Sequence, residues 1–181
     1  MSAQAAPFAV LTDIARRSKS LASGLPAQQE AIELWNGIGF TLDGQRYVAP
    51  MGEVVEILHV PRYTHVPGVR SFMVGAANVR GRLLPLIDLA HFFDLSRSSR
   101  SQRERRVLVI ERGDLFSGLV VDSVSGMQYF AMENFIEEPA ETPDIVQPFV
   151  QGGYRRNEEI WKVFSTFALM EDDRFSDVAQ W

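Results

Sequence analysis

Few residues in this chain are equipped for chemistry, and their neighbours do not support it. Asp88 and Asp122 each follow an apolar run, and two carboxylates at strand ends can share a proton as in aspartic proteases. Neither is followed by the Ser/Thr-Gly of the protease turn: Asp88 precedes Leu89-Ala90, and Asp122 precedes Ser123-Val124. Each is therefore read as a cap or turn residue at the end of its strand. His59, His65 and His91 do not fall at a metal-ligand spacing such as i, i+4 on one helix. The first two lie in a loop over residues 59–70, set by Pro61 and Pro67. Ser123 and Ser125 have no Gly-x-Ser-x-Gly elbow around them, and no Gly-rich loop with a Lys cradles a phosphate. With no cysteine, disulfides, thiolate catalysis and the common Cys-containing zinc sites drop out. The reading is a non-enzyme with no catalytic residue, metal or cofactor.

What remains is a cationic turn, Arg80-Gly81-Arg82, between two apolar stretches. Gly75-Ala76-Ala77-Asn78-Val79 is small and suits a strand packed close to another backbone. Gly81 supplies the positive φ of a tight hairpin. Residues 83–89 form an almost continuous apolar run, read as a buried strand. Pro85 within it points to an edge or bulged strand, because it cannot donate to the ladder.

The elements that hold this turn follow from composition and order. With 181 residues, 46% hydrophobic and 23% charged, the chain has the makeup of one globular domain or a tightly joined pair. A net charge of -5 argues against nucleic acid, whose phosphates call for an excess of Lys and Arg. No apolar run approaches the roughly 20 residues that span a bilayer, and no secretory signal pattern opens the chain, so a cytoplasmic protein without direct membrane insertion is expected.

Residues 1–36 form an N-terminal helical extension: Phe8, Leu11, Ile14, Ala15, Ser18, Leu21, Ala22 and Leu25 fall near helical spacing. Pro26 interrupts it, and residues 28–35 suggest a second short turn. The extension either docks on its own domain or serves a partner. Its mixed charge (Asp13, Arg16, Arg17, Lys19) is unlike the basic face of a membrane-surface helix. From Gly37 the pattern turns to β. Asp43-Gly44 marks one hairpin and Gly113-Asp114 another. Residues 52–58 read as strand or short helix, residues 59–70 as a loop, and residues 96–106, with five Arg, as a solvated loop. Residues 171–181 are acidic and helix-prone, with a C-terminal helical tail assigned to 175–181.

An internal repeat is present. Tyr47 set against Phe116 places Glu53 on Asp122 and Val55 on Val124, an offset of 69. Phe72 set against Phe149 places Gly75 on Gly152, Leu86 on Val163 and Phe92 on Leu169, an offset of 77. Two similar small β units packed together account for this, and burial between them compensates for the small core of each. Arg80-Gly81 falls opposite Asn157-Glu158. The cationic turn thus occurs in one copy, which singles out Arg80 as functional.

Val54-Val55-Glu56-Ile57, Gly75-Ala76-Ala77-Asn78-Val79-Arg80-Gly81, Pro85-Leu86-Ile87-Asp88-Leu89 and Gly118-Leu119-Val120-Val121-Asp122-Ser123-Val124 together resemble the CheW-like adaptors of bacterial chemosensory systems. Asn-x-Arg-Gly followed by Pro-x-x-Asp-Leu is the specific block. The resemblance spans residues 37–174 and, with the N-terminal extension, is nearest to the adaptor of the system controlling type IV pili and twitching motility. It implies an all-β fold of two five-stranded SH3-like barrels with short helices. It also implies a non-enzymatic role, coupling the cytoplasmic tip of a methyl-accepting chemoreceptor to the regulatory domain of a CheA-type histidine kinase at membrane-bound arrays. By position, Arg80 matches the family's interaction arginine and Glu56 its partner acid, with Gly81 in the motif and Val54 on the same receptor-facing region. One departure concerns the C-terminus. Where the family closes with a strand reading like Leu-Val-Asp-Ile-Glu-Lys-Leu-Leu, this chain has Phe164-Ser165-Thr166-Phe167-Ala168-Leu169-Met170, without the acid. A second function class, a small-molecule sensor with an apolar cleft between barrels, stands beside the adaptor.

Overall fold

The computed structural model describes residues 11–12, 14–18, 33–95 and 103–177. The chain separates into two compact units, residues 1–32 and 33–181. In the first, the described residues are helical and exposed, in keeping with the spacing of Leu11 and Ile14. The interruption at Pro26 lies outside the described residues.

Four tight turns organise the second unit. Asp43-Gly44, Arg80-Gly81 and Asn157-Glu158 carry positive φ at both central residues, the type I′ geometry whose twist matches that of paired strands. Gly113, at φ 59°, opens the fourth. They close the hairpins β1 (Leu34–Leu42) with β2 (Gln45–Pro50), β5 (Met73–Val79) with β6 (Arg82–Asp88), β7 (Arg106–Arg112) with β8 (Leu115–Val121), and β11 (Val150–Arg156) with β12 (Glu159–Phe164). Between them run β3 (Glu56–His59), β4 (Tyr63–Thr64), β9 (Ser123–Ala131) and β10 (Phe135–Ile136). Short helices α1 (Leu89–Phe92), α2 (Thr166–Met170) and α3 (Asp173–Ser176) follow β6 and β12. None of the described helices is long and apolar enough to cross a membrane.

The strands form two curled sheets, β3-β7-β8-β6-β5-β4 and β9-β1-β2-β12-β11-β10. Adding six to each strand number of the first, or subtracting six where the strand lies beyond β6, gives the second. Each is a five-stranded SH3-like barrel with a two-residue strand at its edge. The repeat is therefore real, but a sequence copy is not a barrel. Hairpin β7–β8 sits among β3, β5 and β6, and hairpin β1–β2 sits among β9, β11 and β12. Both insertions are sealed by a parallel pair, Leu86 beside Gly118 and Lys162 beside Tyr47.

The ladders also correct the alignment. Met73 faces Ile87 as Val150 faces Phe164, which keeps the offset of 77. In the exchanged hairpins Leu42 faces Gln45 as Arg112 faces Leu115, an offset of 70 and not 69. Tyr47 thus corresponds to Ser117, and Val54 to Val124.

Pro85 sits in an interior strand, between β5 and β8, and not at an edge. It is tolerated because the parallel ladder with β8 begins only at Leu86 and the facing strand is bulged between Met73 and Gly75. Residues 51–53 form a 3-10 turn ahead of β3, and the expected 59–70 loop contains β4. Leu34 and Trp35 belong to β1 instead of a helical turn. The helical segment near the C-terminus starts at Asp173, with Phe175 buried.

Six buried residues from β5–β8 fill the first barrel and five from β2, β9, β11 and β12 fill the second. Twenty more, drawn from both barrels and all three helices, lie between them. The largest apolar burial is thus the seam, and burial is the dominant favourable term in folding. At its centre Phe164 meets the rings of Phe40, Tyr47, Phe93 and Phe149.

Two substitutions test this packing. Gly75 and Gly152 occupy equivalent positive-φ positions, at 155° and 128°. A Cβ at Gly75 would strike the backbone oxygen of Thr64 and the ring of Tyr63, and one at Gly152 the ring of Phe135 and the backbone oxygen of Ile136. Backbone cannot swing aside as an exposed ring can, so urea denaturation should show both Gly75→Ala and Gly152→Ala losing about 1–3 kcal/mol. The Tyr47 hydroxyl is buried without a hydrogen-bond partner among the described residues. Burial pushes its pKa up to about 12, with the Asp43 charge adding to the shift. The folded state therefore favours the neutral phenol. This contribution is intact below the unfolded pKa of about 10 and is lost as pH rises toward the folded value. Tyr47→Phe should flatten the alkaline fall in stability at little cost near neutral pH.

Candidate protein-docking site

Type I′ turns favour Asn, Asp and Gly at their first position. Asn157 meets that preference in one barrel; Arg80, at φ 52°, does not in the other. An arginine in the left-handed region is held against its own backbone preference, so the turn itself does not explain it. The turn is built by its neighbours: Gly81 N–H donates to Asn78 Oδ1 at 2.9 Å, and Val79 pairs with Arg82.

The two arginines of the turn have different fates. Arg82 makes a two-pronged contact with Glu111, Nη2 to Oε1 at 2.8 Å and Nη1 to Oε2 at 3.2 Å. It also lies 3.8 Å from the ring centre of Phe116. The hydrogen bonds from Arg82 hold the Glu111 carboxyl below its ordinary range. Arg80 reaches across to β3 with one bond, Nη2 to Glu56 Oε1 at 2.6 Å. Its side chain remains 77% exposed, against 27% for Glu56. Such an exposed pair adds little to stability, but it presents an oriented guanidinium to solvent.

Of the four residues singled out from the sequence, the structure brings Arg80 and Glu56 into contact and puts Gly81 beside Arg80 at the tip. Val54 is partly buried against the seam core. Sequence reasoning missed an apolar rim. Val55 just before β3, Ile57 on β3, and Met127 and Tyr129 on β9 are exposed. Ile57 stands opposite Leu108 and Met127 opposite Ile38, and both partners belong to the seam core. Both edge strands therefore carry the seam's apolar face out to the surface. Alternation along β3 and β9 was visible in the sequence, but alternation does not say which face is covered.

The residues weighed for catalysis serve the backbone. Asp88 Oδ1 accepts from His91 N–H at 3.2 Å and caps α1, while Oδ2 takes Arg105 Nη2 at 2.9 Å. Asp122 Oδ2 accepts from Asp43 N–H at 2.8 Å. Arg105 is accordingly turned inward, unlike the solvated loop expected there; residues 96–102 lie outside the described residues. Among the described residues, Arg70, Phe72, Phe92, Asp173, Arg174 and Asp177 line a cavity of about 270 Å³. Its two arginines are already committed, Arg70 to Asp177 and Arg174 to Asp172.

The model of the CheW-like domain matches residues 36–174, and the chain belongs to the CheW-like family. It is 50% identical over 179 residues to Protein PilI of Pseudomonas aeruginosa, covering 99% of each chain. The chemotaxis protein CheW of Helicobacter pylori is 30% identical over 115 residues, 64% of this chain and 68% of its own. The scaffolding protein TtCheW of Thermoanaerobacter tengcongensis superposes with a TM-score of 0.67, over 78% of this chain and 96% of its own, at 23% identity. That last likeness is one of fold.

Stability should separate the two kinds of ion pair. Arg80→Ala is expected to shift the unfolding free energy by no more than about 0.5 kcal/mol. Asp88→Ala removes a cap and strands the half-buried Arg105, and should cost about 2 kcal/mol or more. Thermal or urea melts of the two variants check both.

Proposed function

We propose that this protein is a non-enzymatic adaptor coupling a chemoreceptor to a CheA-type histidine kinase in a system that governs type IV pili and twitching motility. In this reading residues 37–174 are the docking body, and the protein works in the cytoplasm at membrane-bound receptor arrays through its partners. The observation that carries it is the Arg80–Glu56 pair: an exposed arginine, set in an unfavoured backbone conformation and oriented by a neighbouring acid, at the position of the family's interaction arginine. The exposed rim of Val55, Ile57, Met127 and Tyr129 adds apolar surface of the kind that protein interfaces bury. The near full-length similarity to PilI supports the pilus system over other chemosensory settings.

Truncating an interface anchor costs about 2 kcal/mol or more, over tenfold in affinity. Titrating the purified protein with a CheA-type regulatory domain and with a receptor cytoplasmic fragment should show that loss for Arg80→Ala with at least one partner. Cells carrying the substitution should lose twitching at normal protein levels. Affinities within twofold of wild type for both partners would remove Arg80 from the site.

A further inference from the structure

The chain passes between the barrels at only two places among the described residues, residues 51–55 and Asp122. The first crossing leads straight into β3, which carries Glu56. β3 is a four-residue edge strand held by β7 alone, so its starting point must be fixed from outside the ladder. Glu53 does this. Its Oε2 accepts from Thr166 N–H at 2.6 Å, Phe167 N–H at 3.2 Å and Thr166 Oγ1 at 3.1 Å. Ser165 Oγ donates to Oε1 at 3.2 Å, and Thr166 Oγ1 also reaches the Glu53 carbonyl oxygen at 3.3 Å. Ser165 and Thr166 are both buried. The carboxylate ties the root of β3 to the first turn of α2, whose free N–H groups and dipole favour an anion.

Comparison of the two copies shows that this tie is particular to one. α1 is capped by its own acid, Asp88, and 77 residues later α2 has the neutral Ser165 as its cap, accepting from Ala168 N–H at 3.1 Å. The acid absent from the start of α2 is supplied from the crossing. No basic side chain pairs with Glu53 among the described residues, so the helix start and two hydroxyls are its whole counterweight. Immediately beyond, Val55 N–H donates to Val109 O at 2.8 Å and Glu56 takes its place opposite Val109. Two residues, Val54 and Val55, separate the tie from the acid that orients Arg80.

We infer that Glu53 is a positioning residue for the docking site: by pinning the root of β3 to α2 it fixes where Glu56 stands, and through Glu56 where Arg80 points. Loosening the tie should act on β3 before it acts on the rest of the sheet.

Glu53→Gln keeps the shape and removes the charge. In the free protein, native-state exchange of the amides that bond β3 and its root to β7, Val55 N–H among them, should quicken on the order of tenfold, while β6 and β8 change far less. Uniform acceleration through the sheet, or none at β3, would overturn the inference. Only the second arm rests on the adaptor reading. There, Glu53→Gln should weaken binding of the kinase regulatory domain or receptor fragment about threefold or more, with no further loss once Arg80 is Ala, because both changes act through one contact. Additive losses would show that Glu53 does not work through Arg80. Wild-type binding by Arg80→Ala alone would remove Arg80 from the site, no binding by the unmodified protein would sink the adaptor reading, and either result leaves the exchange arm to decide on Glu53. Should Glu53→Gln not fold, Thr166→Val removes one hydroxyl from the carboxylate. It should give the same exchange pattern at smaller amplitude, and wild-type exchange at β3 would count against the tie.

Discussion

Two parallel strand contacts, Leu86 beside Gly118 and Lys162 beside Tyr47, hold the molecule in its present form. Each admits the hairpin of one sequence copy into the sheet of the other, and neither barrel is closed without its guest. Both barrel interiors are small, and most buried apolar side chains lie between the barrels. The two barrels consequently behave as one body, since separating them exposes the seam and opens both sheets. The β12–β2 contact also takes Lys162 out of water. Its amine donates to Gln45 Oε1 at 2.6 Å, and burial lowers its pKa, partly opposed by Glu141.

Charge is used in two ways. Asp88, Asp122 and Glu53 are acids turned toward backbone N–H groups at turns, crossings and helix starts. They satisfy donors that the chain's changes of direction would otherwise leave open. Arg82 with Glu111 stiffens the flank of the hairpin. Arg80 is the most exposed arginine of the ion pairs among the described residues: its contact secures no backbone group and most of its surface faces water. A side chain that does so little for the fold is free to serve recognition.

Much of the scaffold was legible. Asp43-Gly44, Arg80-Gly81 and Gly113-Asp114 announce turns because positive φ is cheap only for a few residue types. The 77-residue offset holds through an entire hairpin, and the CheW-like motifs placed Arg80 opposite Glu56 before any coordinates did. The exchange of hairpins was not legible, since apolar alternation reports which face is buried and not which strand lies alongside. The same limit left Pro85 open between an edge and a bulged strand and hid the rim of Ile57 and Met127. The one-residue error around Tyr47 has another origin: low identity constrains register weakly, and ladders fix what letters do not. Glu53 looked like an unremarkable acid before a strand because its partners lie more than a hundred residues away.

The hairpin exchange also sets an order of events during synthesis. Chains emerge from the ribosome N-terminus first, and domains fold as units when their parts are available. The barrel that holds Arg80 has all its strands once Val121 has been made. Hairpin β1–β2 appears earliest of all, yet its home sheet is complete only when Phe164 follows. Gln45 must wait for Lys162, its neighbour across 117 residues. Pairings of that separation are slow to form, and until then Phe40 and Tyr47 lack the ring of Phe164 that packs against both. The first strands translated are thus the last to be housed, and the nascent chain carries its docking barrel finished while its other half is still being made.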